Sequence, residues 1–275
     1  MLTPGAGAVD VYNNLIQGNL GNDDGGGLRF LMAGDFRYNV ANNMIVNNIS
    51  THEGGGISIN DAPNVVVFNN TIMKNITTAT AMTSNGQPAP AGLSTSRNSA
   101  LLQATLPLDA PLFSEPVLFN NIFWDNRAGT FTGATVAGIG LADDPNPVFN
   151  WDLGVASMAE LLSPIYSLLQ TSYGASPDAN SLVGPAYDPT VVMPYDVSVQ
   201  VAPWRGNPRF VDVLMVTVLA TPNELGDYHL TGTSPAIDEG VSFDDPTLGF
   251  DTLDYDDQAR PYGPAVDIGA DEVPQ

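Results

Sequence analysis

The chain has 275 residues, 43% of them hydrophobic, which is long enough to bury a core and fits one elongated domain with an appended module. Its 27 glycines and 22 prolines favour short strands and sharp turns, and the absence of cysteine excludes thiol catalysis, cysteine-ligated zinc and disulfides. With 30 acidic residues against 8 basic ones, the formal net charge of −22 excludes phosphate backbones and anionic membrane surfaces as electrostatic partners, while it suits divalent cations, high salt or solubility.

At the start, Met1-Leu2-Thr3-Pro4-Gly5 lacks the basic residues and apolar stretch of a signal peptide, so an exported chain would need its signal elsewhere. No apolar run is long enough to span a bilayer, and membrane insertion is not expected. From Asn13 a short pattern recurs: Asn13-Asn14-Leu15-Ile16, Asn42-Asn43-Met44-Ile45, Asn69-Asn70-Thr71-Ile72 and Asn120-Asn121-Ile122-Phe123. Each copy carries a further Asn five residues after its second, at Asn19, Asn48, Asn75 and Asn126. Successive copies lie 29, 27 and 51 residues apart, so the stretch between Asn75 and Asn120 holds either a degenerate repeat or an insertion. A second marker keeps the register, because Gly25-Gly26-Gly27-Leu28 and Gly54-Gly55-Gly56-Ile57 are also 29 residues apart.

A repeat of this length accommodates two or three short strands, each pairing in parallel with its counterpart one repeat on, with Ile57, Ile59, Val65 and Val67 pointing inward. Asn at a tight corner tolerates left-handed backbone angles, and its amide can bond the equivalent Asn in the next repeat. Asn14, Asn43, Asn70 and Asn121, with Asn19, Asn48, Asn75 and Asn126, are therefore expected to form a structural ladder. Each step is worth about 0.5 to 1.5 kcal/mol.

These repeats resemble the right-handed parallel β-helix family of secreted bacterial proteins, over roughly residues 8 to 140. The resemblance implies an all-β solenoid. It leaves function open, because the fold serves polysaccharide lyases and hydrolases, adhesins and passive stalks.

Beyond residue 140, Ser157-Met158-Ala159-Glu160 reads as a capping box ahead of Leu161, Leu162, Ile165, Leu168 and Leu169, predicting one short α-helix with Pro164 near its start. Residues 174–208 read as ordered loop with a strand at Val197 to Val201. Then come Asn207-Pro208-Arg209-Phe210, Gly226-Asp227-Tyr228-His229-Leu230, Ser234-Pro235-Ala236-Ile237-Asp238, Arg260-Pro261 and Val266-Asp267-Ile268-Gly269-Ala270. This order resembles the choice-of-anchor type Q module of bacterial surface proteins, with departures at Glu239, Asp257 and Asp271. The expected organisation is 8–140 repeats, 141–206 helix and irregular insertion, and 207–273 a capping module whose Tyr228, Leu230, Ile237, Val266 and Ile268 cover the final coil.

Asp251, Asp254, Asp256 and Asp257 cluster at spacings that suit calcium as a candidate cation, while the plainer reading, a solvated acidic turn, is favoured. Asp23-Asp24 and Asp143-Asp144 are weaker pairs. Lys74, Arg97 and Arg127 are candidate lyase bases and Asp35, Asp61 and Asp125 candidate acids, each more simply read as surface or pairing groups. No residue is assigned to catalysis. His52-Glu53 has no second His at zinc-protease spacing, and no nucleophile elbow or phosphate-cradling loop is present. The expectation is an extracellular or cell-surface structural or binding protein, in contact with polysaccharide or self-associating through an open N-terminal end that a longer parent chain could also occupy. The alternatives are a polysaccharide lyase or glycoside hydrolase on the same scaffold, and a filament or surface-layer subunit.

Overall fold

The computed structural model describes residues 6–32, 34, 36–141, 144, 146–156, 158–197, 199–203, 214–218, 225–242 and 252–274. The first repeat gives β1 (Val9–Tyr12), β2 (Leu15–Gln17), β3 (Leu20–Gly21) and β4 (Leu28–Leu31). The second gives β5 (Tyr38–Ala41), β6 (Met44–Val46), β7 (Ile49–Ser50) and β8 (Ile57–Asn60), and the third β9 (Val65–Phe68), β10 (Thr71–Met73), β11 (Ile76–Thr77) and β12 (Leu93–Thr95). After α1 (Ala100–Gln103) come β13 (Val117–Phe119), β14 (Ile122–Trp124), β15 (Arg127–Ala128), the hairpin β16 (Thr130–Phe131) and β17 (Val136–Ala137), β18 (Leu153–Val155), β19 (Leu168–Leu169) and β20 (Leu182–Val183). The chain continues through β21 (Val191–Met193), β22 (Val199–Pro203), β23 (Leu214–Val218) and β24 (Asp227–Leu230).

The fold is all-β and built on four parallel sheets, β1-β5-β9-β13, β2-β6-β10-β14-β19-β20, β3-β7-β11-β15 and β4-β8-β12-β18, an arrangement compatible with a β-helix. Parallel pairing runs past residue 140 to β18, β19 and β20. Asn70 bonds directly to Asn121, so the long spacing hides an insertion rather than a degenerate repeat. Its extra residues form the loop 78–90 and the segment 96–116, which contains α1, capped by Ser99 at 3.2 Å from the Leu102 amide. Between them, β12 keeps the register of β8 although its marker reads Ala91-Gly92-Leu93. Gly92 is required there, because a Cβ on it would lie 2.3 Å from the Asp152 carbonyl oxygen.

One core fills the interior, with Val40, Ile45, Ile57, Ile59, Val65, Val67, Ile72, Leu93, Phe123 and Leu153 buried together. The predicted helix over 157–169 is absent among its described residues, 158–169. Pro164 lacks an amide and would clash with the preceding turn of a helix. The backbone instead pairs outward, Ile165 N–H to Leu118 O at 3.0 Å and Leu168 N–H to Asn121 O at 2.9 Å, while Leu162 and Ala175 pack against the core.

The C-terminal segment departs from the expected end cap. Along β6, β10 and β14, alternate residues Ile45, Ile72 and Phe123 face the interior, while Met44, Val46, Met73, Ile122 and Trp124 pack against Tyr228, Leu230, Ala236, Ile268 and Ala270. This sheet is therefore apolar on both faces, and the C-terminal segment lies along its outer side. Of the strand expected at Val197 to Val201, β22 covers Val199 to Val201 and runs on to Pro203, paired antiparallel with β23.

Asn70 is fully buried. Its Nδ2 donates to Asn121 Oδ1, Val40 O and Phe68 O, and its Oδ1 accepts from the Asn43 amide and Nδ2. Asn70→Ala strands these groups in the interior and is expected to lower unfolding free energy by about 3 kcal/mol, whereas Asn14→Ala at the exposed end costs about 1 kcal/mol or less. Denaturant titration of the two variants checks the difference.

Candidate functional site

The Asn pairs divide their labour. The first residue of each pair, Asn13, Asn42, Asn69 and Asn120, takes φ of 52–53°, the left-handed corner. The second turns inward, with Asn14 to Asn43, Asn43 to Asn70 and Asn70 to Asn121 bonded through their amides at 3.0–3.1 Å. A second column runs from Asn19 to Asn48, Asn75 and Asn126 at 2.9–3.1 Å, each preceded by its own left-handed residue, Gly18, Asn47, Lys74 or Asp125. The first column ends at Ser167, whose Oγ accepts from the Asn121 amide at 3.2 Å. The second ends at Asp152, which accepts from Asn126 Nδ2 at 3.0 Å and from the Gln170 and Thr171 amides. Burial pushes the Asp152 carboxyl up to about 7.

The corner residues hold the C-terminal segment. Asn13 Nδ2 donates to Asp254 O, Asn42 Nδ2 to Leu253 O and Asn120 Nδ2 to Val241 O, at 2.8–3.1 Å. On the other corner, Asn47 Nδ2 donates to Tyr195 O at 2.9 Å and its Oδ1 accepts from Tyr228 Oη.

Of the four aspartates weighed as calcium ligands, the three described ones, Asp254, Asp256 and Asp257, are engaged with separate partners. Asp251 lies outside the described residues. Asp254 is fully buried and its oxygens accept from the backbone amides of Asp256, Gln258 and Glu272, a turn-forming role. Asp257 accepts from Asn13, and Asp256 faces His229, its Oδ2 3.0 Å from Nε2. Other sequence candidates are likewise engaged structurally. Lys74 and Arg127 share Asp125 and Asp196 at 2.6–2.9 Å, and Asp61 accepts from the Ser99 amide at 2.6 Å. Arg97 pairs through its backbone with Phe113. Asp35 and Asp143 lie outside the described residues, whereas Asp144 accepts from the Gly138 and Asn146 amides.

A cluster that the sequence reading left aside comes together near the Gly-triplet corner, with Asp23 and Asp24 from the first repeat and His52 and Glu53 from the second. His52 Nδ1 lies 2.7 Å from Asp24 Oδ1, and Arg29 donates to Asp24 Oδ2 at 2.9 Å. Glu53 is buried and accepts from Asn60 Nδ2 at 3.2 Å. Burial, then the neighbouring Asp24 charge, push Glu53 up to about 7, and the hydrogen bond to Asp24 raises His52. The signal was present only as adjacent pairs, because His52 and Asp24 are 28 residues apart in the chain.

His52 and Glu53 open onto a groove of about 570 Å³, whose other walls include Asn85 and Gln87 from the inserted loop and Trp151. Trp151 meets Tyr173 edge-on at 4.8 Å between ring centroids, and Phe149 completes the aromatic group. A second groove of about 720 Å³ lies across Thr83 and Asn85 and includes Asp23. Together these surfaces offer an aromatic face beside hydrogen-bonding side chains and a carboxyl that is protonated at a higher pH than an ordinary glutamate.

No protein-family model, curated protein or solved structure matches the chain. No helix among the described residues is long and apolar enough to cross a membrane.

Glu53 has a raised pKa in the folded state, so its share of stability is complete below its ordinary value of 4.5 and is lost as pH rises through about 7. Raised His52 acts in the same direction, its share being lost as pH rises above 6.5 through its folded value. The melting temperature is expected to fall across this window, and Glu53→Gln to flatten the fall. A calorimetric pH series on both proteins checks it.

Proposed function

We infer that this chain is a right-handed parallel β-helix displayed outside a bacterial cell, a structural and binding protein that holds an uncharged polysaccharide in the groove between loop 78–90 and Trp151. The observation that carries this reading is the groove itself, which an aromatic side chain, Trp151, lines together with Asn85, Gln87, His52 and Glu53. A sugar ring presents an apolar face and a rim of hydroxyls, and such a wall matches both. The net charge of −22 disfavours anionic glycans.

The Asn-Asn and Gly-Gly-Gly repeats support the β-helix, and the likeness of 207–273 to choice-of-anchor type Q modules supports surface display. β1, β2, β3 and β4 are the end strands of the four sheets, and Tyr12, Leu20 and Leu31 are exposed there. That end suits self-association or a further part of a longer parent chain. Light scattering tests the first, since a strict monomer across concentration removes it.

A second reading, a glycan-cleaving enzyme, is favoured by one observation. Glu53, its carboxyl pushed up to about 7 by burial and then by the charge of the ion-paired Asp24, pairs a weakened acid with a carboxylate, the combination glycoside hydrolysis uses. The two readings separate in one experiment. Affinity electrophoresis against a panel of neutral polysaccharides is expected to retard the wild-type chain, with affinity weakened about tenfold by Trp151→Ala or by Asn85→Ala with Gln87→Ala. No retardation by any member, or none lost in the folded variants, contradicts the binding reading. New reducing ends released by the wild type and abolished in Glu53→Gln would replace binding with catalysis.

A further inference from the structure

On the C-terminal segment, away from the groove, β24 places Asp227 and His229 on one side of the strand. His229 Nδ1 lies 2.6 Å from Asp227 Oδ1, and a ring that donates Nδ1–H to that carboxylate offers Nε2 to a metal ion once Nε2 gives up its proton. Nε2 is shut off from solvent and has no hydrogen-bond partner of good geometry, although Asp256 Oδ2 is only 3.0 Å away. Asp271 joins them. It is 5% exposed and is oriented by the Leu230 amide, which donates to its Oδ2 at 2.8 Å. Asp256 is oriented by its own amide, which donates to Asp254 Oδ1 at 3.0 Å. One ligand atom each from His229, Asp256 and Asp271 lie within 4.8 Å of one another. Among the described residues, no Lys or Arg lies within ion-pair distance of Asp227 or Asp256, and His229 is the basic side chain that reaches both.

We propose that His229, Asp256 and Asp271 form a binding site for one divalent transition-metal ion, zinc being the natural occupant. The three donors come from separate stretches of chain, so the ion would tie β24 to the 254–258 turn and to the 266–272 stretch. Zinc takes imidazole nitrogen and carboxylate oxygen at about 2.0 to 2.2 Å, and three protein ligands leave its fourth position to water. A carboxylate hydrogen-bonded to the far ring nitrogen is the usual support of a metal-bound histidine, and Asp227 occupies that place. Calcium prefers six to eight oxygens and gains little from an imidazole, which distinguishes this site from the all-aspartate cluster suggested by the sequence.

The test uses the full chain, stripped with EDTA and titrated calorimetrically with zinc chloride and, separately, calcium chloride. Zinc is expected to bind one per chain and to raise the melting temperature, with no comparable effect of calcium. His229→Gln and Asp256→Asn each remove the saturable heat, and Asp227→Asn weakens binding about 10- to 100-fold. Melting in EDTA shows whether each variant folds. On the wild type, the chain's 2 histidines give an independent reading by NMR, because zinc must shift the His229 ring nitrogens and leave those of His52 unchanged. Zinc binding that survives in folded His229→Gln, no saturable binding, or an unmoved His229 resonance overturns the site.

Discussion

The paired asparagine at each corner is the constraint on which the other features rest. A strand that must turn sharply and begin again one residue later needs a left-handed backbone position, and it also exposes amides that no neighbouring strand can pair. Asn42 supplies the first requirement and Asn43 the second. Because the inward amide bonds both the next repeat and the carbonyl two residues before it, as Asn43 does with Ala41 O at 2.9 Å, each corner fixes its own shape and the register of its neighbour. Apolar residues then fall into columns, and Ile45 and Ile72 stack directly. Hydrophobic burial supplies most of the stabilisation, but the amide columns decide which residues face inward.

The same corners explain why the C-terminal segment lies where it does. A left-handed Asn projects its side chain away from the core, and Asn13, Asn42 and Asn120 use theirs to hold the backbone carbonyls of Asp254, Leu253 and Val241. Asn47 does so on the opposite edge with Tyr195 and Tyr228. Between the two edges, Tyr228, Leu230 and Ile268 cover Met44, Met73 and Ile122, which would otherwise present an apolar sheet face to water. The groove and the His229 cluster thus sit on different layers, one on the repeats and their inserted loop, the other on the covering segment.

Much of this was legible in the sequence because repeats are a long-range signal written locally. The Asn pairs and Gly triplets state the stacking partner of each strand without any distance being known. What stayed hidden depends on tertiary choices. Ala91-Gly92 keeps only one residue of the glycine marker, Gly92, whose Cβ would lie 2.3 Å from the Asp152 carbonyl oxygen, so the third copy does not announce itself. The apolar spacing of Leu162, Ile165 and Leu169 fits a helix, yet backbone pairing to Leu118, Asn121 and Gly174 with Pro164 in the middle gives an extended plug. The sequence reading placed both corner roles on the same Asn, whereas the structure gives each role to a different member of the pair. Asp24, His52 and Glu53 meet only because two repeats stack, and Asp254 looks like a metal ligand until its oxygens are seen to be spent on backbone amides.

Native-state hydrogen exchange tests the corner account most directly. The backbone amides of Asn43, Asn48, Asn70 and Asn75 donate to side-chain oxygens of the next repeat at 3.0–3.2 Å. If these columns hold the stack together, those amides exchange as slowly as the core strand amides of Ile45 and Ile72, opening only with global unfolding. Exchange at the rate of exposed loop amides, while the strands stay protected, would contradict the account and leave the corners as passive turns in a stack held by its apolar core alone.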